Sequence, residues 1–196
     1  MSKSDPSAAK RERSKTIRWV VTIFIVTIFV SGAISLLSDF LMERSSMAVA
    51  FLILLLIIFV GIVFDIIGMA VASADEKPFH SMAARKVAGA QEAIALLRNA
   101  ERVSSICNDV VGDICGVVSG SASATIAVQI ISNFTFSWPQ IISLGMSALA
   151  AGLTVGGKAV GKSFAVNSCT SIVHTVGKLI YGLRHMSVLF NKKKNK

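Results

Sequence analysis

The sequence is short of the residues that punctuate a soluble domain. Three prolines and one tyrosine occur in 196 residues, and eleven acids face twenty Lys and Arg. After Asp113 no acidic residue follows, and from Ile114 to Gly157 there is no charge of either sign. A water-soluble core of that length is interrupted every few residues by charged surface positions, so a soluble globule does not fit. The three cysteines, Cys107, Cys115 and Cys169, have no metal-ligand spacing, and their odd number speaks against a disulfide framework. His80, His174 and His185 are too scattered for a zinc site. No nucleophile–base pair is visible, so no enzyme is expected. The letters of Gly156–Ser163, GGKAVGKS, match a phosphate-loop pattern, yet they follow an apolar run where such a loop needs a preceding strand.

What is present is apolar residue in long runs. The chain is 53% hydrophobic with a mean hydropathy of +0.67, above the roughly 45–50% apolar content of soluble domains. Between Arg18 and Asp39 lie twenty residues without a charge, about the number that crosses ~30 Å of hydrocarbon. This run is too long for a signal-peptide core and lacks a small-residue cleavage site, so it reads as a retained first span over 19–38. A second apolar stretch runs from Ser45 to Ala74, broken only by Asp65. The charge-free region holds Asn133–Pro139, an outer loop with an interfacial tryptophan and a proline, and so divides into a third span at about 104–131 and a fourth at about 140–157.

Residues 75–102 change character. They are Ala-rich, carry Lys77, Arg85, Lys86, Arg98 and Arg102, and place Val87, Ala90, Ile94 and Leu97 at helical spacing. This pattern predicts a pair of short amphipathic helices with one face docked. Six Lys and Arg precede Trp19, five lie in 75–102 and six in 178–196, whereas the 39–46 loop has one and the 132–139 loop none. By the positive-inside rule both termini and the long loop are cytoplasmic, which requires an even number of spans. The expected fold is therefore an all-α membrane protein of four transmembrane helices, a cytoplasmic amphipathic pair between the second and third, and a basic C-terminal amphipathic helix. Its divisions are a basic leader (1–18), the first span (19–38), a membrane domain (45–183) and a basic tail (184–196). The charge placement points to anionic inner-leaflet lipids of the plasma membrane as partners and not to nucleic acid.

Ionisable groups inside spans are costly, and they are functional candidates for that reason. Asp65 lies deep in the second span. Asn108, Asp109 and Asp113 lie in the inner half of the third, with Asp109 and Asp113 at i and i+4 on one α-helical face. Lys158 and Lys162 repeat that spacing at the inner end of the fourth. Carboxylates with Asn and Ser oxygens are hard ligands that suit Mg²⁺, whereas pairing of Asp65 or Asp109 with Lys158 would be a structural bridge. Gly112, Gly116 and Gly120 form GxxxGxxxG, a close-packing motif directed to the bundle interior or a dimer seam.

Residues 60–183 resemble the transmembrane domain of the CNNM/CorC family of magnesium transporters. Asp65-Ile66-Ile67-Gly68, followed by Met69–Asp75, stands where the family has a Ser-Gly-x-Glu turn and a small-residue run. Ala90–Val103 stands where it has an Ala/Leu-rich helix, Asn108-Asp109 where it has a Gly-Asn pair, and Gly157–Ser163 where it has Gly-Glu-x-x-Pro-Lys-Ser. The resemblance implies Mg²⁺ as a transported substrate, a homodimer, and Asp65, Asn108, Asp109 and Ser163 as site residues. The departures fall on the chemistry: Gly68 and Lys158 replace the family's two glutamates, and Gly161 its proline. The family's CBS domains have no counterpart before Lys196. A lysine at 158 fills the place of a cation, and this supports an alternative reading as a non-transporting scaffold or regulatory subunit.

Overall fold

The computed structural model describes the backbone of residues 6–43, 45–133 and 138–194, and the side chains of 16–42, 45–133 and 138–185. Among the described residues the chain is helical throughout, without strands. The helices are α1 (Pro6–Glu43), α2 (Met47–Ser73), α3 (Lys77–Ala84), α4 (Ala90–Arg98), α5 (Ala100–Ser105), a π-helical segment (Ile106–Gly112), α6 (Asp113–Asn133), α7 (Pro139–Asn167) and α8 (Cys169–Lys194). Four stretches are long and apolar enough to cross a membrane: Thr16–Met42, Met47–Ser73, Ala100–Asn133 and Pro139–Asn167. The expected four spans are present, and the chain has the build of a multi-span helical membrane protein.

Helix α2 is the hub, packed against α6, α7 and the π-helical segment. Its buried residues Ala50, Leu54, Ile58, Gly61, Asp65 and Gly68 recur every three or four positions and form one face. Helix α6 answers with Ile114, Val118, Ala122 and Ile126, a strict i, i+4 row with Ser119 and Ser123 beside it. Ser119 and Ser123 satisfy themselves by bonding the carbonyls of Gly116 and Gly120, one turn back. The far end of the bundle is a cluster of Met42, Ala50, Leu54, Ile126 and Met146, tied by Gln129 Nε2 donating to the Met42 carbonyl at 3.2 Å.

The helix pair expected in 75–102 is present as α3 and α4, and Ala90, Ile94 and Leu97 take the docked side as expected, whereas Val87 lies in the loop between the two helices and is exposed. Phe79, Ala93 and Leu97 join Ala70 and Val71 of α2 and Val173 of α8 in a separate core. Helix α8 lies along α4 and the end of α2. Its charged tail beyond residue 185 lies outside the described side chains.

The span boundaries differ from the sequence expectation in three places. Helix α1 runs well beyond 19–38 at both ends. The third span begins at Ala100, because α5, the π segment and α6 are continuous. Helix α7 continues ten residues past Gly157, and its 29 residues reach about 43 Å at about 1.5 Å per residue, more than the ~30 Å hydrocarbon. Charge density marks the end of the apolar run; the backbone hydrogen bonding of the helix does not stop there. Residues 134–137, within the expected loop between the third and fourth spans, lie outside the described residues.

Candidate intramembrane ion site

The π-helical segment is where the third span departs from regularity, and it carries Asn108 and Asp109. Such i→i+5 turns inside α-helices occur often at functional sites. Its side facing α2 is built on missing side chains. A Cβ on Gly68 would overlap the Asn108 amide oxygen and lie 2.9 Å from Cys107 Cβ. A Cβ on Gly112 would lie 3.3 Å from both the Cys107 carbonyl and Lys158 Nζ, and 3.7 Å from Asp65 Oδ1. Glycine at both positions lets two helix backbones and one ammonium meet.

Lys158 of α7 enters that space. Its Nζ donates to the Gly112 carbonyl at 3.2 Å and stands 3.8 Å from Asp65 Oδ1 and 3.6 Å from Asp113 Oδ1. Asp65 is 4% exposed, whereas the Asp113 side chain is 72% exposed. One ammonium thus joins α2, the start of α6 and α7, with a buried carboxylate on one side and an open one on the other. Among the described residues two buried oxygens have no hydrogen-bond partner, Asp65 Oδ2 and Asn108 Oδ1, although the Asn108 amide nitrogen donates to Ser104 Oγ at 3.2 Å.

Of the four residues that the sequence singles out, two come together. Asp65 and Asn108 lie on the α2–π interface, against Gly112 and Gly68 respectively. Asp109 is exposed on another side of the third span and lines a groove against α1. Ser163 is exposed on α7. The sequence expects Asp109 and Asp113 to share a face, but they meet different neighbours. The π-helical turns between them change the angular step that the i, i+4 argument assumes, and Asp113 alone reaches Lys158. Among the described residues no three His, Cys, Asp or Glu side chains are grouped as a metal ion requires. The sequence argument missed Gly68 and Gly112 as walls of the site. The placement of Asp65 three residues before Gly68, and of Gly112 opposite them, is the signal that a packing argument needs.

The GxxxGxxxG motif is divided. Gly112 faces the site, while Gly116 and Gly120 have open space where a side chain would go. Cys107 and Cys115 are buried thiols, and Cys169 is half-buried.

Fold and site together define a multi-span helical membrane protein with an ion pair enclosed between its spans. Comparison of the chain with protein families, with curated proteins and with solved structures gives no match.

Proposed function

We propose that this chain is a membrane protein of the CNNM/CorC transmembrane type in which Lys158 is a built-in counter-cation, and that it serves magnesium homeostasis as a non-transporting scaffold or regulatory subunit. One observation carries this reading: the Lys158 ammonium stands within 4 Å of Asp65 and Asp113 and bonds the Gly112 carbonyl, the place that an intramembrane cation would take. A dication entering beside a fixed ammonium meets strong repulsion where the dielectric is low. The plasma membrane, with both termini inside, is the proposed location, and the basic segments 1–18, 75–102 and 178–196 support it. A homodimer is the proposed assembly, supported by the open small-residue side of α6 at Gly116 and Gly120.

The second reading is Mg²⁺ transport through the same place. The unpartnered oxygens of Asp65 and Asn108 favour it, since both are hard acceptors without a donor. Calorimetry and thermal melts of wild type, Lys158→Glu and Lys158→Met, with and without Mg²⁺, separate the two. Absence of Mg²⁺ binding by wild type, with binding gained in Lys158→Glu, supports the built-in cation. Tight binding by wild type that is unchanged in Lys158→Glu overturns it in favour of transport.

A further inference from the structure

Asp109 is the carboxylate that the Lys158 site leaves out. It lines a cavity of about 430 Å³ between α1 and the third span, together with Trp19, Ile23, Phe24, Thr27 and Ser105. That volume falls in the range of small-molecule sites, roughly 300–1,000 Å³. Among the described residues Asp109 has no ion pair and no side-chain hydrogen bond, whereas Asp65 and Asp113 share Lys158. Arg102, earlier in the third span, makes no ion pair with it among the described residues. Its guanidinium lies over the Trp19 ring, 5.3 Å from the centroid. Asp109 lies further along the third span than Arg102, among the apolar side chains that line the groove.

A carboxylate in a lipid-facing groove is costly unless a positive charge meets it. The groove is unsuited to Mg²⁺, which keeps octahedral oxygen ligands and holds its water, because one carboxylate and two hydroxyls stand here in an apolar, aromatic lining. A cation with a weakly held hydration shell and apolar substituents has the complementary chemistry: charge for Asp109, hydrocarbon for Ile23 and Phe24, and a ring face nearby. We propose that the groove between α1 and the π-helical segment is a binding site for lipophilic organic cations, with Asp109 as the counter-charge. An acyl chain would fill the apolar part equally well but has no use for the carboxylate, so charge dependence distinguishes the two occupants.

The chain has two tryptophans, and Trp138→Phe leaves Trp19 in the cavity wall as the sole reporter. In this background the full-length protein, in nanodiscs of zwitterionic lipid, is titrated with tetraphenylphosphonium and with neutral triphenylphosphine oxide. The expected result is saturable quenching of Trp19 by the cation, a Kd raised at least tenfold in Asp109→Asn, and no saturable response to the neutral compound. Thr27→Phe, which fills the groove and keeps Asp109, weakens binding by a similar factor and serves if Asp109→Asn does not fold. The readout is Trp19 quenching and not Mg²⁺ binding, which keeps this site separate from the one proposed above. Equal affinity in a folded Asp109→Asn, unchanged affinity in Thr27→Phe, or equal quenching by the neutral compound overturns the proposal.

Discussion

The Lys158 ammonium and the Asp65 carboxylate face each other at 3.8 Å across the α2–α7 contact, the lysine side chain 18% exposed and the aspartate 5%. Asp65 Oδ2 has no further partner, so the ammonium is the main compensation for a charge enclosed between helices. The two residues are counter-charges across one helix contact.

Lys158→Met therefore lowers stability by about 3–5 kcal/mol, the cost of a buried charge stripped of its partner. Asp65→Asn added to Lys158→Met recovers most of the loss, because the uncompensated charge is gone. Asp113→Asn alone has a small effect, since its side chain is 72% exposed. Unfolding titrations of wild type, Lys158→Met, Asp65→Asn, the double variant and Asp113→Asn in one detergent complete the comparison, and strict additivity of Lys158→Met and Asp65→Asn would refute the coupling.

Alanine at glycine positions should divide into two groups. Gly68→Ala drives a methyl into Asn108 and towards Cys107 Cβ, which sits on the helix and cannot swing away. A loss of about 1–3 kcal/mol is expected, as for other overpacked cores. Gly116→Ala and Gly120→Ala meet nothing within 4 Å. Their melts should stay within about 0.5 kcal/mol of wild type, while cross-linking between copies through Ala124→Cys falls if α6 forms a dimer seam.

Membrane orientation is checked by single cysteines, in a background with the three native ones replaced, at exposed positions Ser46, Gln140 and Ser81. Impermeant maleimide added outside intact cells should label the first two and spare Ser81→Cys. Labelling of Ser81→Cys from outside would invert the proposed topology.

Anionic lipid should stabilise the protein through its basic end. Lys77, Arg85, Lys86 and Lys178 are all exposed, and each contributes about 1 kcal/mol near an anionic surface, less as salt rises. Thermal melts in phosphatidylglycerol nanodiscs should exceed those in phosphatidylcholine, with the difference reduced by high salt and by Gln at these four positions. Equal melts in the two lipids would dismiss the role.

Much of this architecture is legible in the sequence because hydrocarbon imposes a strict rule on composition. Runs without charge mark Thr16–Met42 and Met47–Ser73 to within a few residues, and the spacing of Ala90, Ile94 and Leu97 announces the docked face of α4. The site was less legible. Asp65 and Lys158 could be named as partners from the scarcity of acids, but the hydrogen-bond step that turns the third span π-helical at Ile106–Gly112 has no compositional signal. The segment packs against α2 at Gly68 and meets Lys158 of α7 at Gly112, contacts between residues far apart in the chain. Hence Asp109, placed beside Asp113 by α-helical arithmetic, faces α1 instead.

At the basic end the loop between α3 and α4 sits backbone to backbone on α8. Gly89, at φ 84°, leaves no room for a side chain: a Cβ there would lie 2.5 Å from the Lys178 nitrogen. A Cβ on Gly177 would in turn strike the Gly89 carbonyl, and His174 Nε2 lies 3.3 Å from the Ala88 carbonyl. Two peptide chains pressed together in this way cannot slide independently. A force applied to the C-terminal tail would pass through this clasp into α4 and the end of α2, so that whatever grips the tail holds a lever on the helix that carries Asp65.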